Sequence, residues 1–200
     1  CRPLGKAAAG LVVLAACLKY QAYQVLGGSF LAPALPRPLL LAMEALYGAV
    51  LVLCVLLLLK DGLALLLWLG RLAGGAWSLP FSLAARGAGL AALALALGAW
   101  GTWQSVQVPG VRTVEIPVPA LPAKLDGFSV VQLSDLHIGP ILRGDWLRAV
   151  VEKANALHPD AVALTGDLVD DLPAAIGRDL EPLGELRAAH GVFGVTGNHE

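Results

Sequence analysis

The chain has 200 residues, of which 57% are hydrophobic and only 14% charged, with a mean hydropathy of +0.71. A soluble domain carries about 25% charged residues, so the composition excludes an ordinary soluble protein, and its apolar content excludes a disordered one. The net charge of −1 conceals two unlike halves: residues 1–105 hold seven basic and two acidic side chains, and residues 106–200 hold seven basic and thirteen acidic ones together with all four histidines. The first half has the character of membrane, the second that of a soluble acidic domain. No basic stripe runs through either, so nucleic acid is not an expected partner. Cys1, Cys17 and Cys54 are too few and too scattered for a disulfide framework or a zinc knuckle, and read as small apolar residues.

A spanning helix needs about 20 predominantly apolar residues. In chain order, residues 7–27 form the first and weakest candidate, because Lys19, Gln21 and Gln24 follow the apolar run. Residues 39–59 form the second, interrupted only by Glu44 and stopped by Lys60-Asp61-Gly62. Residues 63–70 read as a continuing or interfacial helix. Residues 87–103 form the third span, with Ala88, Ala92 and Ala96 four apart as a small-residue packing face and Trp100 and Trp103 at its interfacial end. Residues 1–105 are therefore expected to be a transmembrane region of three spans, with four as the alternative. No pairing is recognisable among Lys19, Glu44 and the glutamines. With three spans the face holding Arg2, Lys6, Lys60, Arg71 and Arg86 is the cytoplasmic one, which puts the second half on the non-cytoplasmic side; four spans reverse this.

Residues 106–127 are spaced by prolines and read as a linker or edge strand, with rough alternation from Val111 to Val118. Residues 128–200 repeat a strand–loop–helix pattern. Strands are expected at 128–133, 161–164 and 191–195. A helix is expected over 145–157, with Leu147, Val150, Val151 and Ala154 on one face, and a second over 172–189, interrupted near Pro182. Such alternation implies βαβ units and a largely parallel sheet.

Each strand ends in polar residues that a turn does not require: Ser134-Asp135-Leu136-His137, then Thr165-Gly166-Asp167-Leu168-Val169-Asp170, then Thr196-Gly197-Asn198-His199-Glu200. Right-handed crossovers bring the three ends to one sheet edge, where ligands of open α/β sheets gather. Carboxylates, imidazole and an amide oxygen form a mixed oxygen and nitrogen donor set suited to manganese, iron or zinc. Two such ions can clamp a phosphoryl group and activate water. Singly each motif has an ordinary explanation, Asp-x-His as a chance or capping pair and Gly-Asp as a helix cap. Together, in order and each at a strand end, they point to a site. His158 and His190 fit surface loops, and Trp146 fits helix packing.

The strings SDLH, GDLVD and GNHE, so spaced, resemble those of the calcineurin-like metallophosphoesterases. With the upstream spans, the chain is similar to the transmembrane proteins that carry such a domain. The resemblance is firm over 106–200 and loose over the membrane half. It implies an α/β/β/α sandwich of which 128–200 form the N-terminal portion. It implies two divalent metal ions, with Asp135 and His137 on the first, Asp167 bridging both, and Asn198 on the second. His199 would be the catalytic general acid, and Asp170 and Glu200 would support the ligands through hydrogen bonds. The family's further histidines lie downstream of the Gly-Asn-His-Glu string, so the chain is expected to be an incomplete fragment, inactive alone, of a membrane-anchored hydrolase acting on a phosphoester. The alternative is a non-catalytic membrane scaffold or binding protein with a vestigial site. A transporter or channel is disfavoured by the lack of paired polar residues in the spans.

Overall fold

The computed structural model describes residues 3–27, 32–171 and 173–199. It divides into two units, one of residues 1–27 and 35–105, the other of residues 28–34 and 106–200.

The first unit is helical. Helices α1 (Pro3–Cys17) and α2 (Lys19–Leu26) meet at Leu18, so residues 7–27 lie in two helices joined at that residue. Polar Lys19, Gln21 and Gln24 end the apolar run where α2 begins. Helix α3 (Arg37–Leu72) runs unbroken through Lys60-Asp61, joining residues 39–59 and 63–70 into one rod. Leucine dominates both sides of the break, and the Lys60 ammonium pairs with the adjacent Asp61 carboxylate. At 1.5 Å per residue α3 is about 54 Å long, against about 30 Å of hydrocarbon. Helix α4 (Leu83–Ser105) is the other element long and apolar enough to cross a membrane among the described residues. Their leucines are exposed all round, including Leu51, Leu58, Leu59, Leu66, Leu95 and Leu97. A helix apolar on every side and not covered by protein suits a lipid environment.

The two long helices pack through small residues, but not those expected. Ala88, Ala92 and Ala96 are exposed, whereas Ala94 and Gly98 are the buried positions of α4. A Cβ built on Gly98 would lie 2.6 Å from the Ala45 carbonyl oxygen and 2.6 Å from the Ala49 nitrogen. Glycine thus allows the backbones to touch.

In the second unit, β1 (Val130–Leu133), β2 (Ala161–Thr165) and β3 (Val192–Val195) form a parallel sheet in the order β1-β2-β3. Val130 pairs with Ala161 and Val162 with Val192. Helix α5 (Gly144–Asn155) joins β1 to β2, and α6 (Pro173–Leu180), followed by a 3₁₀ turn over Glu181–Glu185, joins β2 to β3. Pro182 lies in that turn, which is why the second helix stops short of its expected length. The helical face Leu147, Val150, Val151 and Ala154 is buried with Val162, Leu136 and Ile138 in one core. Each of the larger aliphatic side chains contributes about 1.5–3 kcal/mol by leaving water. The α5 amino end is held by the Gly144 N–H, which donates to Asp179 Oδ1 at 2.9 Å. In chain order, two apolar membrane-length helices are followed by a small parallel α/β sheet.

Residues 111–118 form no strand. Val114, Ile116 and Val118 alternate but are exposed, and Pro109, Pro117 and Pro119 remove the donors a ladder needs. The start of this segment is docked: Val108 packs on the core, and Lys153 Nζ donates to the Pro109 carbonyl at 2.7 Å.

Candidate metal centre

The three strand ends meet because the loops after β1 and β2 continue the parallel pairing past the strands. The Asp135 N–H donates to the Gly166 carbonyl at 3.1 Å, His137 N–H to Asp167 O at 3.1 Å, and Ile138 N–H to Leu168 O at 2.9 Å. In return Asp170 N–H donates to Ile138 O at 3.0 Å. The loop after β3 is tied in by a side chain: Asp167 Oδ1 accepts the N–H groups of Asn198 at 2.9 Å and His199 at 3.1 Å.

This convergence is held in unfavourable backbone. Asp135 (φ 56°), His137 (φ 45°) and Asp167 (φ 51°) are all left-handed, a conformation that non-glycine residues avoid. Such strain persists where surrounding structure over-determines it, and it clusters at sites of function. Gly166, itself at φ 86°, lies so close to the third loop that a Cβ there would be 2.6 Å from the Gly197 nitrogen.

Two groups of side chains result. One ligand-capable atom from each of Asp135, His137 and Asp167 lies within 4.8 Å of the others. The same holds for His137, Asp170 and His199. His137 belongs to both, so the groups are contiguous. Asp170 Oδ1 sits 2.7 Å from Nδ1 of His137 and 2.7 Å from Nδ1 of His199, and the two rings stand edge to face with centroids 4.6 Å apart. One carboxylate oxygen therefore turns both imidazoles. The Ser134 hydroxyl donates to Asp135 Oδ2, a contact the motifs did not suggest.

Of the residues singled out from sequence, Asp135, His137, Asp167, Asp170 and His199 come together. Asn198 is adjacent through its backbone, with its residue exposed, and Glu200 lies outside the described residues. His158 and His190 are exposed and apart from the cluster; His190 stacks on Phe128 at 5.5 Å between centroids. Carboxylates and imidazole, contiguous and with one carboxylate facing two rings, form a donor set that could hold a metal ion.

Comparison with known proteins agrees with this reading. Residues 128–200 match the calcineurin-like phosphoesterase family. The recognition drawn from the three motifs therefore stands. A Bos taurus protein named "Transmembrane protein with metallophosphoesterase domain" is 36% identical over 148 residues, 74% of this chain and 33% of that protein. A Danio rerio protein of the same name is 39% identical over 104 residues, covering 52% of this chain and 24% of the relative. An "Uncharacterized metallophosphoesterase" of Helicobacter pylori is 34% identical over 100 residues, covering 50% and 26%. The chain thus spans a third or less of the length of these relatives. No solved structure matches it.

Proposed function

We propose that the protein of which these residues are part is a membrane-anchored, metal-dependent phosphoester hydrolase. The observation that carries this reading is the contiguity of Asp135, His137 and Asp167, from two separate strand ends, at one sheet edge. The family match over 128–200 and the names of the relatives support it.

Two divalent ions bound there would supply Lewis-acid stabilisation of phosphoryl oxygens and a water of lowered pKa. Asp135 and His137 would hold the first, Asp167 would bridge, and Asn198 would hold the second. Asp170 Oδ1 faces Nδ1 of each histidine; with a proton on Nδ1 each ring donates to this carboxylate and keeps Nε2 for the site. On His137 that free nitrogen is a lone-pair donor for an ion. On His199, when the ring is protonated at both nitrogens, Nε2 would give its proton to the leaving oxygen, making His199 the general acid. Asp167 has a further duty within the chain: its Oδ1 fixes the amides of Asn198 and His199, and so aims the third loop. Glu200 is assigned a supporting role by family resemblance alone.

We also propose a multi-pass anchor with the phosphoesterase domain on the non-cytoplasmic side. That orientation rests on the distribution of Arg and Lys and on a membrane crossing before α3. Protease protection in sealed vesicles tests it directly.

The enzymatic reading is tested with the full-length protein, Mn²⁺, and a nitrophenyl phosphate monoester and diester. Manganese-dependent release of nitrophenol, lost in Asp167→Asn and His199→Ala, is the expected result. Intact protein that binds Mn²⁺ but hydrolyses neither ester would favour the scaffold reading. Failure to bind Mn²⁺ at all would remove both metal assignments.

A further inference from the structure

The first unit contains a polar cluster that the phosphoesterase reading does not use. Lys19 is 2% exposed, the one buried charged residue among those described. Its ammonium pairs with Glu44 Oε2, correcting the expectation that these two residues have no partner. The same ammonium lies 4.0 Å from the centroid of the Tyr47 ring and 4.6 Å from that of Tyr20. The other carboxylate oxygen, Glu44 Oε1, accepts the Tyr23 hydroxyl at 3.0 Å, and Tyr23 is likewise 2% exposed. Tyr20 stands edge-on to both Tyr23 and Tyr47, at 6.0 Å in each case.

This is the chemistry of an ammonium receptor: a carboxylate beneath the cation and aromatic faces around it. A charge on a membrane helix is retained where it has a partner and a role. Three of the members, Lys19, Tyr20 and Tyr23, come from one short helix, and Glu44 and Tyr47 come from one turn of α3. Such a helix of eight residues does not hold itself together in isolation.

We propose that Glu44, Tyr47, Tyr20 and Tyr23 form a built ammonium cage whose resident is the chain's own Lys19, and that its occupancy locks α2 onto α3. Lys19 acts as a latch and the cage as its keeper. Loss of Glu44 leaves the Lys19 ammonium as an uncompensated buried charge, which separates this device from ordinary apolar packing. The cage selects an alkylammonium group, because a neutral side chain of similar length gains neither the ion pair nor the ring contacts.

The test uses the full chain in lipid nanodiscs, with Cys1 replaced by serine and spin labels on Cys17 and Cys54. Both are exposed, and they report from the end of α1 and from α3. Lys19→Gln and Glu44→Gln are each expected to at least double the width of the distance distribution. Tyr47→Leu should broaden it too, whereas Tyr47→Phe, which keeps the ring face, should not. Lys19→Ala should regain a narrow distribution on addition of n-propylammonium. An unchanged width in Lys19→Gln would overturn the lock. Broadening in Lys19→Ala that propylammonium fails to reverse, with Tyr47→Leu and Tyr47→Phe behaving alike, would overturn the cage. The Tyr47 pair keeps the proposal open to refutation even where a charge variant disrupts the fold.

Discussion

Gly166→Ala puts a methyl group where the second and third strand ends touch. Two costs follow from the geometry. Gly166 has φ 86°, and an L-residue in left-handed backbone costs roughly 1–2 kcal/mol. The new Cβ would also stand 2.6 Å from the Gly197 nitrogen and 2.7 Å from its Cα. Those are backbone atoms, so a rotamer change cannot relieve the clash, and overpacking of this kind costs about 1–3 kcal/mol. The sum, about 2–5 kcal/mol, is a large part of the 5–15 kcal/mol that holds a domain together. For a unit of roughly 100 residues it lowers the melting temperature by about 10–30 °C. The clash is relieved only by moving the Gly197 turn, whose next two amides bind Asp167 Oδ1. Affinity for Mn²⁺ should therefore fall with stability. The assay is thermal unfolding in detergent micelles, followed by Mn²⁺ titration of the folded protein at low temperature. Gly177→Ala is the control: it lies in α6 with nothing within 4 Å of the built Cβ, and the helix gains up to about 1 kcal/mol. A Gly166→Ala protein melting within about 3 °C of the parent would refute the close approach of the two loops.

Asp170→Asn removes the charge that faces both imidazoles, and Mn²⁺ affinity should fall about 10–100-fold, as for other groups that orient a ligand; calorimetric titration measures it, and unchanged affinity would remove Asp170 from the site. Gly98→Leu drives a side chain into the Ala45 and Ala49 backbone and should cost about 1–3 kcal/mol. Its readout is the helical melting transition of the membrane unit, and a wild-type melt would contradict the packing of α4 on α3. The Ser129 amide and hydroxyl donate to Asp160 Oδ2 at 2.8 and 2.9 Å, and these bonds, first the amide, hold the Asp160 carboxyl below its ordinary range. A carboxyl lowered on folding stabilises above the ordinary carboxylate pKa and loses that contribution as pH falls through the folded value. Ser129→Ala should therefore move the acid limb of the stability curve to higher pH; an acid titration followed by circular dichroism would show whether it moves.

Some of this molecule was legible in its residues and some was not, for reasons that differ by element. The face of α5 was readable because Leu147, Val150, Val151 and Ala154 recur at helical spacing, and burial in one core follows directly from that period. The packing face of α4 was not. In a helix built almost wholly of Leu, Ala and Gly, several small-residue rows compete, and Ala94 with Gly98 wins over Ala88, Ala92 and Ala96 only because Gly98 meets the α3 backbone. The Lys19–Glu44 pair was hidden by a sequence separation of 25. A pairing across a helix–helix contact leaves no periodic trace, unlike one at i and i+4. The unbroken α3 is the continuing helix, one of the two readings of residues 63–70; Lys60-Asp61 stops the apolar run but not the helix, where the two side chains pair with each other.

The strand ends were legible for a chemical reason. Turn propensity alone favours Gly and Asn in left-handed backbone, yet Asp135, His137 and Asp167 occupy it, a cost of about 1–3 kcal/mol each. A sequence optimised for stability would place glycine at all three positions. What the three residues share instead is a ligand-capable atom, and the left-handed turns bring those atoms within 4.8 Å of one another. Asp135 and His137 lie in one loop, separated by Leu136, which is buried in the core. An extended chain would also put residues i and i+2 on one face; here left-handed backbone at Asp135 and at His137 flanks the buried Leu136, and both side chains stand at the sheet edge. The motif is thus a statement about backbone as much as about donors. Relaxing it with Asp135→Gly should stabilise the unit while abolishing metal affinity, and thermal unfolding paired with Mn²⁺ titration separates those opposite effects. A variant that loses both stability and affinity would show that the Asp135 side chain holds the fold rather than the ion.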